Sequence, residues 1–597
     1  MISLLARDPI SAFGLSAILD TEKIPYRRCE RIDPENTGVW LVAGCDLEAG
    51  EIEQLRHLPC IVMHGGAAFA QAVLGAEEPA TVTNPCAVPI DAAIWPVHVR
   101  QLAAAFRIRR LRLPVAPICA TGAVERGRVL ATFSGSERPA IVHADRLLWS
   151  AIDLGSTFTH LLGETYLPPG KQHAIPTAAS HFLRRAVESL YYLAPEALRQ
   201  RIQRASYARL LRQLNKLGDR ATEYPVDATG WLVIQLVRQL LLLARGGLAS
   251  LAHWPAPFHA AATLTHDIEP QPYAYTTGLN RLLDTTAEMQ SPAAFGLVAK
   301  AAATHLTKSS VERLQNRTVL CHGMTHRGEI ASGQAAVRDN IGGARSLLES
   351  HLGRSVYGYR SPRLDRSADL LAALDDLGFR YDSSYPDVDR ENVRHFGGGV
   401  RVNLPFRPPL YDHSSRPRPS RCLELPLTAP DCIQPLYGGA SSAELELTVQ
   451  TKAAFVRESG GLYVALVHAG VFGDADAERR ETHLRLVNDL LHHPDVWFAD
   501  IGDIAAWWTA REQVRIETLP GALRIVNAGD ASIDGLQVLI EYTGVRTLIV
   551  VPPLAAGAVH LIELAHASES QPAAAQYSLF SDEISTGTGD KGKEQSL

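Results

Sequence analysis

Between residues 256 and 511 the sequence keeps returning to one pattern: a short apolar run that ends in groups able to do chemistry. Ala262-Thr-Leu-Thr-His-Asp-Ile-Glu269 ends in two carboxylates, and Val319-Leu-Cys-His-Gly-Met-Thr-His326 runs into two imidazoles. Tyr359-Arg-Ser-Pro-Arg363, Tyr381-Asp-Ser-Ser384, Glu424-Leu-Pro-Leu427 and Leu462-Tyr-Val-Ala-Leu-Val-His468 repeat the arrangement. Strands buried on both faces read as continuous apolar runs, and parallel α/β sheets display their reacting groups at the carboxyl ends of the strands. Such a series therefore restricts this part of the chain to an α/β sheet or barrel with one polar rim.

The flanking regions follow other periods. Trp40–Ala43 and Cys60–Met63 are short apolar strands followed by helical patterns, which predicts an open α/β layer. From about Leu113 the texture turns β-rich, with strands expected at Val129–Phe133, Ala140–His143 and Trp149–Leu154. Helical patterns cover Phe182–Leu193, Glu196–Leu217 and Trp231–Ala244. The last of these carries Arg238 and is too short to span a bilayer. Val514–Thr518, Ala522–Val526, Gly535–Tyr542 and Val545–Val551, separated by turn residues, predict a small antiparallel β-sandwich. The last stretch is rich in Ser, Gly, Gln, Thr and charge, a composition that predicts disorder. The expected parts are 1–178, 179–255, 256–511, 512–567 and 568–597.

Composition removes several functions. Lys and Arg total 58 against 64 Asp and Glu, a net charge of −6, so no basic excess exists to hold a phosphate backbone and nucleic acid is not expected. No apolar window approaches the roughly 18 residues of a transmembrane helix. The N-terminus lacks a basic region followed by an apolar run, so a cytoplasmic protein is expected. The eight cysteines form no Cys-x-x-Cys pair and read as buried, reduced thiols.

The chemistry can be argued from residue types. Four-residue spacing would place His322 and His326 on one face of a helical turn, which suits two ligands of one zinc. With 22 histidines in 597 residues, about 0.8 such pairs arise by chance. This pair is the only His-x-x-x-His in the chain, and it lies at a strand end. A carboxylate from the preceding strand would complete a three-ligand site with one position open to water.

From about Ala261 to Trp508 the ordered set resembles the polysaccharide deacetylase family, also known as carbohydrate esterase family 4 or the nodulation-factor deacetylase homology region. The resemblance implies a distorted (β/α) barrel and a divalent metal, Zn2+ above all. It implies Asp267 as base, Glu269, His322 and His326 as ligands, and Arg360 bracing the base. It further implies His468 as general acid, a backbone N–H near Arg363 for the oxyanion, and a carbohydrate substrate. Asp431 in Pro430-Asp-Cys432 is the candidate for orienting His468. This chain departs from the family pattern in places: Asp267 and Glu269 are separated by one residue, so their roles could be exchanged. Gly323 stands where Ser or Thr is usual, and Arg363 where Tyr is common.

The same set is coherent as physical chemistry. A metal lowers the pKa of bound water enough to attack an acyl carbon at neutral pH, a carboxylate takes the proton, and a histidine returns one to the leaving group. Leu58-Pro-Cys-Ile-Val-Met-His-Gly-Gly66 resembles the strand and elbow of a class I glutamine amidotransferase, with Met63 or His64 where the nucleophilic Cys would stand. That predicts a flavodoxin-like, non-catalytic N-terminal α/β domain for sugar or protein binding. The leading expectation is a metal-dependent hydrolase removing N- or O-acetyl groups from a glycan or glycoconjugate. The alternatives are hydrolysis of another non-peptide C–N bond, as in an imidase or allantoinase, and a carbohydrate-binding pseudoenzyme in a biosynthetic complex.

Overall fold

Helix Pro9–Glu22 illustrates how local sequence sets the first layer. Asp8 accepts from the Ser11 N–H (3.0 Å), Pro9 occupies the first helical position, and the helix ends at Lys23 in the left-handed region. This helix packs on a seven-stranded sheet and against the helix Leu154–Leu162. Tyr26–Arg28, Ile2–Ala6, Trp40–Ala43, Cys60–Met63 and Leu147–Ser150 run parallel in that spatial order. Pro139–Ala144 and Arg128–Thr132 extend the sheet antiparallel. The expected strand Trp149–Leu154 is corrected: the strand stops at Ser150 and a helix begins at Leu154. The cause is local, because Asp153 accepts from the Ser156 N–H (2.9 Å) and caps that helix. After Cys60–Met63 the chain turns at His64, with φ 69°, into the helix Gly66–Leu74.

The computed structural model describes residues 1–44, 46–166, 195–326, 333–390, 397–412, 414–429, 440–470, 473–542 and 545–564. The expected helix Phe182–Leu193, the tail from 568 and Asp431 lie outside these residues. Helices Glu196–Leu214 and Thr229–Arg245 are present. Among the described residues no helix is long and apolar enough to cross a membrane.

The central sheet has eight strands, all paired in parallel. Its order runs Leu423–Glu424, Tyr381–Asp382, Gly358–Tyr359, Thr318–Cys321, Ala293–Leu297, Ala260–Ile268, Leu462–Leu466, with Val496–Phe498 beside the start of Ala260–Ile268. Parallel bridges Pro386–Leu427 and Ala429–Ala465 carry the segment after Glu424 across to the opposite edge. The sheet therefore curls into a distorted half-barrel. Every residue of Ala260–Ile268 is buried, as expected of a strand with partners on both edges and cover on both faces. The helices between strands lie outside, so the carboxyl ends of the strands share one rim.

The C-terminal strands form two three-stranded antiparallel sheets around a small core that includes Val514, Ile525, Leu536 and Val538. One sheet takes Gly247–Leu251 as its first strand, pairing with Gln537–Tyr542 across almost the whole length of the barrel sequence. Val559–Glu563, absent from the four expected runs, closes the other sheet. Buried Arg238 binds Glu22 of the first layer, Glu541 of this sheet and Ser250 (3.2 Å) together.

Candidate active site

Strand Ala260–Ile268 fixes the floor of the site. Thr265 Oγ1 donates to the Ala465 carbonyl (2.7 Å), and His266 Nδ1 lies 2.8 Å from the Val467 carbonyl. A carbonyl only accepts, so that His266 nitrogen carries the proton. Burial lowers the His266 pKa to about 4 and keeps the ring neutral against Phe295. Alternation along the strand then sends Asp267, two residues beyond Thr265, to the opposite face from His266.

The predicted residues from four strand ends meet here. Asp267 Oδ2 is 3.8 Å from His322 Nε2 and 3.5 Å from an Arg360 nitrogen. Glu269 Oε1 is 3.5 Å from His326 Nε2 and 3.6 Å from His468 Nε2. Side-chain exposure runs from 0% at Arg360 and 3% at Asp267 to 15% at Glu269 and 21% at His468, so the site opens on the His468 side. Burial opposes ionisation of Asp267, but His322 and then Arg360 outweigh it and hold its carboxyl below the usual value. Burial likewise opposes Glu269, and His326 and His468 hold it low.

His322 and His326 do not share a helical turn. Strand Thr318–Cys321 ends in a loop whose backbone is left-handed at Gly323 (φ 75°) and again at His326 (φ 64°), which still brings the two rings to 5.0 Å. That conformation accounts for glycine at 323, because a side chain would strain it. His322 Nδ1 lies 2.9 Å from the Arg360 carbonyl and must donate to it, leaving Nε2 as a lone-pair donor facing Asp267. Burial lowers the His322 pKa, against the pull of Asp267, and favours the neutral, ligating form.

Three donors facing the site are buried without a hydrogen-bond partner: His322 Nε2, Asp267 Oδ1 and Glu269 Oε2. The Glu269–His326 spacing of 3.5 Å is close to the roughly 3.4 Å between two ligands of a tetrahedral zinc with bonds near 2.1 Å. Among the described residues no three His, Cys, Asp or Glu side chains already gather around one point. The donor set fits a divalent cation: neutral imidazole and carboxylate, with a buried atom on each of His322, Asp267 and Glu269 that makes no hydrogen bond.

Asp382, Ser383, Ser384 and Glu424, marked in the sequence as strand-end polar groups but given no role there, form the layer beneath. Arg360 donates to Ser383 Oγ (3.0 Å) and Thr265 Oγ1 (3.2 Å). Asp382 and Glu424 face each other on adjacent strands, Asp382 accepting from the Ser383 N–H and Ser384 hydroxyl, Glu424 from the Ser384 and Tyr385 N–H groups. Burial pushes Asp382 up to about 6 and Glu424 well above the usual carboxylate range. Gly296 was missed in the sequence: a Cβ there would lie 2.8 Å from Asp267 Oδ1, so only glycine leaves room for that carboxylate. Arg363 sits half-buried in the turn Pro362–Leu364 just after Arg360.

Carboxylates, imidazoles and a buried guanidinium thus gather at the polar rim of a curled parallel sheet. The sequence model of the family described as Polysaccharide deacetylase matches residues 259–381. The match includes Asp267, Glu269, His322, His326, Arg360 and Arg363 and stops before His468. A search of curated proteins finds no match. Among solved structures, one from Mycobacterium smegmatis assigned to the polysaccharide deacetylases is 19% identical, covering 45% of this chain and 96% of that one, with a TM-score of 0.34. Agd3, described as a carbohydrate deacetylase, is 10% identical and covers 95% of this chain and 98% of its own, at 0.36. Puue allantoinase is 16% identical over 44% of this chain and 93% of its own, at 0.35.

Proposed function

We propose that the chain is a metal-dependent deacetylase that hydrolyses acetyl groups on a glycan or glycoconjugate. The observation that carries the proposal is the meeting of Asp267, Glu269, His322, His326, Arg360 and His468 at one rim. Glu269, His322 and His326 would hold the cation, most plainly Zn2+. Bound there, it would polarise the acyl oxygen and make water nucleophilic at neutral pH.

The remaining steps belong to side chains. Asp267 is the base: it is ionised, and Arg360 fixes it from the buried side. His468 stands at the open end of the site, where the departing sugar amine or alkoxide leaves, and supplies the proton that makes it a competent leaving group. The Arg363 N–H, in a left-handed turn just after Arg360, is the donor assigned to the oxyanion in this reading. Water adds to the acyl carbon as Asp267 takes its proton, the C–N or C–O bond then breaks, and acetate and the protonated leaving group depart.

A substrate panel tests this. Purified protein with its metal quantified is given acetylated chito-oligomers, an O-acetylated glycan and a cyclic ureide. The proposal requires acetate release; ring opening of the ureide without acetate would replace it with imidase-type chemistry. Metal-free protein inert on all three would make the chain a pseudoenzyme.

A further inference from the structure

Just beyond Arg360 the backbone takes a costly path. Arg363 (φ 59°) and Leu364 (φ 53°) are consecutive non-glycine residues in the left-handed region. In that region the Cβ of an L-residue crowds the following carbonyl, and such conformations persist only where surrounding contacts impose them. The same turn presents the Arg363 N–H and adjoins Arg360, whose carbonyl orients His322 and whose guanidinium faces Asp267.

Part of what imposes the turn comes from outside the barrel. The Leu364 carbonyl accepts from an Arg366 terminal nitrogen (2.7 Å). Arg366 is buried, and its Nε and other terminal nitrogen grip both oxygens of Glu164 at 2.6 and 2.7 Å. Asp389 takes a further bond from Arg366 (3.0 Å), and the Tyr385 ring lies under its guanidinium at 5.2 Å. Glu164 also accepts from the Gly399 N–H (2.6 Å), and Tyr166 donates to the Gly399 carbonyl. Glu164 and Tyr166 follow helix Leu154–Leu162, and Glu164 stands 202 positions before Arg366.

We infer that Glu164, from the N-terminal part of the chain, is a positioning residue for the barrel's active site: through Arg366 it holds the left-handed turn that carries Arg363 and adjoins Arg360. A bidentate buried carboxylate–guanidinium pair fixes direction as well as distance, which a single contact cannot. The N-terminal α/β part thus completes the site rather than merely accompanying it. This inference rests on the deacetylase reading for the reaction it affects, though not for the geometry.

Two variants of the full-length protein test it. Glu164→Gln keeps the shape but removes the charge and puts an NH2, which cannot accept, in place of one of the two oxygens that accept from Arg366 and Gly399. Glu164→Leu with Arg366→Met and Asp389→Asn replaces the whole charged cluster with neutral groups, so that no buried carboxylate loses its cation. Amide hydrogen exchange is followed for the peptide spanning 359–367 and for a remote peptide in Ile2–Glu22, beside zinc affinity and kcat and KM for acetate release. Expected is exchange about tenfold faster or more at 361–366 with the remote peptide unchanged, and kcat lower by about tenfold or more with KM within about twofold. Wild-type exchange at 361–366 would overturn the inference. So would equal acceleration in both peptides, or unchanged kcat in a variant whose turn has loosened. If wild-type protein releases no acetate, the deacetylase reading fails, while exchange and zinc affinity still decide the positioning role.

Discussion

Replacing Asp382 by asparagine should change how stability depends on pH, and the direction follows from burial. Asp382 and Glu424 are fully buried beside one another, with Arg360 the cation above them and already committed to Asp267. Burial carries the Asp382 carboxyl from its usual 3.8 to about 6, and pushes Glu424 well above the usual carboxylate range. Between those values the folded protein holds a proton that the unfolded chain releases, so stability falls as pH rises through the window. At about 1.4 kcal/mol per pH unit, the Asp382 shift amounts to about 3 kcal/mol, present below the window and lost above it. The amide in Asp382→Asn keeps an oxygen to accept from the Ser383 N–H and Ser384 hydroxyl but has nothing to titrate. Urea unfolding of both proteins from about pH 4 to about pH 7.5 should show Asp382→Asn gaining on wild type by roughly 3 kcal/mol across the series. Glu424 loses the Asp382 carboxylate that helps to raise it, which moves the variant in the same direction, and the titrating groups elsewhere largely cancel. Parallel pH profiles, or a wild type that gains on the variant with rising pH, would refute the reasoning.

Other variants separate ligands from proton carriers. His322→Ala, His326→Ala and Glu269→Gln should each lose metal on purification, measured by elemental analysis. His468→Ala and Asp267→Asn should keep it while kcat falls about 10²–10⁴-fold; a full metal complement in Glu269→Gln with an empty Asp267→Asn would exchange the two carboxylate roles. Gly296→Ala should push Asp267 aside and cost about 1–3 kcal/mol by overpacking, with a loss of rate exceeding the loss of folded protein in a calibrated assay. Cys60→Ser should leave hydrolysis intact, because burial drives this thiol up to about 12 and its sulfur only approaches the Leu55 carbonyl at 3.5 Å. Loss of a glutaminase activity in that variant would reassign the N-terminal part.

The strand-end chemistry was legible because a buried parallel strand has to write its function at its carboxyl end. Asp267, Glu269, His322, His326, Arg360 and His468 all lie where apolar runs stop, and they meet in space. What failed was local conformation set by single residues. The His322–His326 spacing reads as helical, yet Gly323 and His326 take left-handed backbone and form a loop. Trp149–Leu154 reads as a continuous strand, but the Asp153 cap starts a helix. Pairings across long sequence separations left no periodic signal: Gly247–Leu251 beside Gln537–Tyr542, or Glu164 on Arg366. Tyr381-Asp-Ser-Ser384 and Glu424 stood out as strand-end polar groups, but only adjacency shows that their carboxyls form a pair beneath Arg360.

The central claim is that one bound cation and these side chains together release acetate. Protein freed of metal by chelation is titrated with zinc while acetate release from an acetylated chito-oligomer and bound metal are measured on the same samples. Activity should rise in step with occupancy and level off near one zinc per chain, with the His322→Ala variant flat throughout. Full acetate release from metal-free protein, or saturation with zinc without any acetate, would contradict the account.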